Sequence, residues 1–174
     1  MESKSMYPSV KKRNGLFRVG FILMALCIFM SCSGDKEEFM ISLDGPNISV
    51  SDFTGSWEAT TSVFESTDGS QRLDVIEVGG TTLLQVQNNG RFTITIAVPG
   101  QGSESFSGKM GFNGDEYGNR LIVLFDGDAM DDYELFNVDV NNDETLFLSG
   151  ITTFDFTGSG TEVLATIDLV MVRS

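Results

Sequence analysis

From Phe53 to the end of the chain, apolar and polar side chains alternate with period two, and no stretch holds the 3.6-residue spacing of a helix. Arg91 to Val98 is the clearest run. Phe92, Ile94, Ile96 and Val98 fall on one face and Thr93 and Thr95 on the other, as in a strand with one side in a core and one in water. Comparable runs cover 55–64, 73–78, 83–87, 104–112, 133–140, 145–156 and 162–172. The stretch 121–125 is apolar on both faces, which suits a strand covered on both sides or one whose outer face meets a partner. Asn88-Asn89-Gly90 supplies the positive-φ residues of a tight hairpin, Asn141-Asn142-Asp143 repeats the signal, and Gly150 inside a strand predicts a bend or bulge. Eight or nine strands in sequential hairpin order predict an all-β fold. The first choice is an up-and-down antiparallel β-barrel of about eight strands, with a meandering β-sandwich as the alternative.

The N-terminus breaks this pattern. Lys4, Lys11, Lys12, Arg13 and Arg18 precede the apolar run 19–30, the layout of a secretion signal. Twelve helical residues reach only about 18 Å, short of the roughly 30 Å hydrocarbon core, which argues against a membrane span. Phe29-Met30-Ser31-Cys32 resembles the lipobox of bacterial lipoproteins, with Phe29 in place of the usual Leu. That resemblance implies cleavage before Cys32, acylation of its thiol and anchoring at the cell envelope, on the outer membrane, either periplasmic or surface-exposed. The run Asp35-Lys36-Glu37-Glu38 resembles the export signal of surface lipoproteins in the Bacteroidetes, or else is a solvated tether. The expected organisation is therefore a signal peptide at 1–31, an acylated Cys and flexible acidic tether at 32–51, and one barrel domain at 52–174.

Charge narrows the partners. The chain has 25 acidic and 11 basic side chains, and removal of 1–31 leaves 24 against 6, a net charge of −18. Nucleic acid is excluded for want of basic surface, and acyl chains rather than a basic patch must hold the membrane. With Cys27 in the signal and Cys32 acylated, no thiol remains for a disulfide or a nucleophile.

Phe53-Thr54-Gly55-Ser56-Trp57 puts a Gly-x-Trp at the start of the first strand, and Arg173 stands at the end of the last. Together with Gly90 and Phe92 this resembles the lipocalin-like, calycin-type domains of Bacteroidetes envelope lipoproteins. The resemblance implies that Gly55, Trp57 and Arg173 close the barrel base, with the guanidinium over the only indole. The Thr-Asp-Tyr element of vertebrate lipocalins is missing, so their ligands are not implied.

Candidate chemistry is sparse. The chain has no His, which excludes imidazole zinc sites and Ser-His-Asp triads, and it has no Walker or dinucleotide motif. Asp126, Asp128, Asp131 and Asp132 are a weak calcium candidate, because their order does not match an EF-hand loop. Tyr117 is a candidate for stacking on a sugar. The expectation is a non-enzymatic protein without a cofactor, holding a small apolar or amphipathic ligand among Phe92, Ile94, Phe106, Met110, Phe112, Val123, Leu148, Phe154 and Ile167. The competing class is a structural lipoprotein with a filled interior that docks on an envelope protein or glycan.

Overall fold

The computed structural model describes residues 41–141 and 144–174; the signal segment 1–31, Cys32, residues 33–40 and the turn residues Asn142 and Asp143 lie outside the described residues. The strands are β1 (Gly55–Ser66), β2 (Arg72–Asp74), β3 (Thr81–Val86), β4 (Arg91–Val98), β5 (Gly102–Phe112), β6 (Leu121–Phe125), β7 (Glu134–Asn141), β8 (Thr145–Phe154) and β9 (Val163–Arg173). From β3 to β9 each pairs antiparallel with the next, and β1 pairs with both β3 and β9. This closes a ring of eight strands, with β2 an extra flap on the far half of β1. The β1–β9 seam runs from Trp57↔Arg173 to Ser66↔Ala165, so the molecule is a barrel and not a sandwich. Closure leaves no free strand edge in the ring.

The hairpin at Asn88–Gly90 forms as its residues predict. Gly90 has φ 77°, its N–H bonds to the Gln87 carbonyl at 3.0 Å, and Asn89 Oδ1 accepts from Arg91 N at 3.0 Å. On the outer face of β4 and β5, Thr93 pairs with Ser107 and Thr95 with Ser105 through hydroxyl bonds of 2.9 and 2.8 Å. The polar half of the alternation thus satisfies itself across the strands.

Three sequence expectations are corrected. The bulge is in β1, between Ala59 and Thr61, and not at Gly150. It moves the inward face by one residue: Trp57 and Ala59 are buried before it, and Ser62, Phe64 and Ser66 after it. Gly150 keeps regular pairing with Phe136 and Ile167, and is glycine because a Cβ there would lie 2.8 Å from the Phe136 ring. The run 73–78 is a strand only as far as Asp74, whose carboxylate then accepts from Ile76 N and Glu77 N and turns the chain.

The end of the segment read as a tether is structured from Ile41 onward. Ser42 bridges to Phe112, and Val50–Phe53 forms a 3-10 turn with a reciprocal Ser49–Asp52 capping box. Val50 and Phe53 are buried because this turn plugs the barrel base. Ile41 lies over Gly111, the pairing partner of Ile122, which is 2% exposed. Leu121, Ile122 and Val123 are all buried, so β6 is covered on both faces there.

Candidate functional site

The two ends of the barrel are built differently. At the base, Trp57 is fully buried and its Nε1 donates to the Phe53 carbonyl at 2.8 Å. The Arg173 guanidinium carbon sits 4.4 Å from the centre of the indole, and its nitrogens donate to the carbonyls of Thr54 at 2.8 Å and Asp52 at 3.3 Å. A Cβ at Gly55 would come within 2.8 Å of that guanidinium, so glycine leaves the room Arg173 needs. One cation thereby ties the 3-10 turn, the first strand and the last strand together.

At the other end the barrel holds a cavity of about 490 Å³, within the range of small-ligand pockets. Its walls are aliphatic and aromatic, from Leu84 and Met110 up to Phe92, Phe106 and Phe125. The rings of Phe92 and Phe106 meet Phe125 edge to face, with centroids 5.6 and 6.3 Å apart.

The mouth is acidic. Asp126, Asp128, Asp132, Glu134 and Glu162 line it together with Thr152 and Thr153, and no Lys or Arg does. Glu134 lies deepest in energetic terms. Thr152 Oγ1 donates to its Oε1 at 2.9 Å, while its Oε2 is buried without a hydrogen-bond partner among the described residues. Burial pushes the Glu134 carboxyl up to about 7, and the charges of Asp128, Asp132 and Glu162 add to that push. Glu162 is placed by Thr153, whose hydroxyl donates to Oε2 at 2.7 Å. The loop that carries it is ordered by Asp155, which accepts from the N–H groups of Thr157, Gly158 and Gly160 and whose pKa those bonds lower. Gln101 Nε2 donates to the Phe156 carbonyl at 3.1 Å and joins this loop to the β4–β5 turn.

A closed ring of eight up-and-down strands, a 3-10 turn across its base and a first-strand Trp beneath a last-strand Arg are now in place. The fold is lipocalin-like. Among solved structures the chain is similar to a lipocalin-like protein from Bacteroides uniformis, at 14% identity and TM-score 0.40, covering 71% of this chain and 99% of that one. It is also similar to the odorant binding protein OBP1, at 15% identity and TM-score 0.41, covering 73% and 75% of the two chains. A redesigned β-barrel follows at 11% and 0.41, covering 72% and 94%. No family model and no curated protein matches the chain. Likeness at these values carries neither ligand nor role across, so the cavity's own residues must decide what it can hold.

Seven of the nine residues proposed from sequence line the cavity of this lipocalin-like barrel: Phe92, Ile94, Phe106, Met110, Val123, Leu148 and Ile167. Phe112 does not, because it is buried at the base against Gly45. Phe154 also does not; it stacks on Phe64 at 3.9 Å and meets Phe156 edge to face. The four aspartates do not converge on a metal site. Asp126 is held by Arg91 through two bonds of 2.7 and 2.6 Å, which lower its pKa, Asp128 and Asp132 face the mouth, and Asp131 does not. Among the described residues no group of three or more acidic side chains is set to hold a metal ion. Tyr117 sits in a single helical turn, Gly114–Tyr117, where its hydroxyl bonds to Glu116 and Tyr133; neither tyrosine lines the cavity.

Sequence reasoning missed Glu134. Its signal was the alternation itself: Glu134 shares the inward face of β7 with Phe136, Val138 and Val140, an acid on an apolar stripe.

Proposed function

We propose that this chain is an exported lipoprotein, acylated at Cys32 and held at the cell envelope on the outer membrane, whose barrel binds one small apolar or amphipathic molecule without altering it. The observation that carries the binding reading is the open cavity of about 490 Å³ at the end opposite Trp57, walled by aliphatic and aromatic side chains. A structural lipoprotein with a filled interior has no use for such a space, since an empty apolar cavity costs packing energy in proportion to its volume. The lipobox-like Phe29-Met30-Ser31-Cys32 and the basic and apolar segments before it support the anchoring.

An acid–base enzyme is the second reading, because a carboxyl raised to about 7 beside other carboxylates is also how hydrolases arrange a proton donor. The apolar wall beneath Glu134 favours binding, since it offers a hydrophilic substrate few hydrogen-bonding groups below the mouth.

Native mass spectrometry of the protein purified from its own host is the direct test. A small molecule released on raising the collision energy is expected, and a Met110→Trp variant, which narrows the cavity, should carry less of it. An empty protein that also fails to take up a neutral apolar dye sinks the binding reading. For the anchor, labelled palmitate should enter the wild-type protein and not Cys32→Ala.

A further inference from the structure

Only the cavity mouth combines an enclosed space with an unmet chemical demand. The apolar chamber fixes the body of a ligand, and the five carboxylates at its opening, with no basic side chain in the lining, fix the character of its head. Glu134, one of the lining residues, adds a buried acceptor in its Oε2, which no described group satisfies.

We infer that the cavity selects amphipathic cations: an apolar chain or ring enters the barrel, and an ammonium or amine head stays at the mouth beside Glu134 Oε2, encircled by Asp128, Asp132 and Glu162. This rests on the binding function proposed above and names the chemical class of its ligand. A carboxylate or phosphate head in the same place meets like charge from Asp128, Asp132, Glu134 and Glu162, while Arg91, the cation bonded to this rim, is already taken up by Asp126. Residues 52–174 carry 20 acidic and 5 basic side chains, a net charge of −15 that points the same way over longer range, since it concentrates small cations near the opening and depletes anions.

The chemistry makes binding pH-dependent. The ionisable groups that act on Glu134 are Asp128 and Asp132 from the β6–β7 loop and Glu162 from the β8–β9 loop; β6 presents Val123 and β8 presents Thr152. A cation needs the ionised form of Glu134, whose carboxyl titrates at about 7 in the unliganded barrel. Binding at neutral pH therefore expels a proton, and affinity falls as pH drops from 8 to 6.

The test is calorimetric titration of the full chain in zwitterionic lipid nanodiscs, with empty nanodiscs subtracted, using three ligands that share an eight-carbon body. At pH 8 octyltrimethylammonium is expected to bind one to one, about 10-fold or more tighter than octanoate, with octanol between them. Glu134→Gln, which keeps the shape of the side chain, should weaken the ammonium by about 5- to 10-fold, change octanol by less than that and remove the pH dependence of ammonium binding between 6 and 8. Octanoate binding as tightly as the ammonium, or an ammonium affinity indifferent to Glu134→Gln, overturns the inference while leaving the cavity a binding site. Calcium alone binding more tightly than the ammonium overturns it too, by making the mouth a metal site. If none of the three ligands binds, the binding function itself falls and the inference falls with it.

Discussion

The same eight strands end in two unlike ways. At the base every polar group of Arg173 and Trp57 named above has a partner and the core is full; at the mouth a carboxylate oxygen is buried without one and the core is hollow. The base is where this sequence spends its specific contacts on stability. The mouth leaves space and one carboxylate oxygen unfilled, and it is there that the binding proposed above would act.

Removing the base should hurt most. Trp57→Ala deletes the fully buried plug and is expected to cost about 3–5 kcal/mol in urea unfolding, enough to leave little folded protein. Arg173→Ala is next, at about 1–3 kcal/mol, for a lost cation–π contact and two bonds to carbonyls. Arg173→Lys should recover only part of that, since an ammonium cannot reach both carbonyls in the guanidinium's fork geometry.

At the mouth the sign reverses. The folded state raises the Glu134 carboxyl to about 7 from the ordinary 4.5, so the folded chain holds a proton more tightly than the unfolded one, and stability is lost as pH climbs from 4.5 through 7. Glu134→Gln is accordingly expected to raise stability at pH 8 by about 1–2 kcal/mol, a figure that allows for solvent at the open mouth, and to change it little at pH 4.5. A mutant less stable than wild type at pH 8 would erase the contrast between the two ends. The smallest effect should come from Asp126→Asn. It breaks the exposed pair with Arg91, and the modest fall in Tm expected in dilute buffer should vanish in 0.5 M NaCl.

Much of the base was legible in the sequence because its signals are local or unique. There is one Trp, it follows Gly55 by two residues, and an Arg stands at the far end of the last apolar run. The strands were legible because closure forces one face inward and one outward. What alternation cannot show is where it slips. The extra residue near Thr60 changes which side of β1 faces in, so Phe64 lines the cavity although a strict count from Trp57 turns it out. Phe112 and Phe154 lie on the inward parity as expected, but depth along the barrel decides between plug, wall and rim, and depth depends on the tilt of neighbouring strands. Glu134 was overlooked for a different reason: a run of aspartates drew attention to the loop, whereas the single acid within the apolar stripe of β7 was the more informative anomaly.

The docking of residues 41–53 across the base also bears on the anchoring proposed at Cys32. Eight residues lie between Cys32 and Ile41, a span of at most about 30 Å, and Ile41, the first described residue, lies on the side of the plug rather than of the opening. An acyl chain at Cys32 would hold the plugged end toward the bilayer, with the acidic rim turned away from anionic headgroups by repulsion as well as by tethering. Cargo would then be loaded from the aqueous side and not drawn up from the lipid beneath.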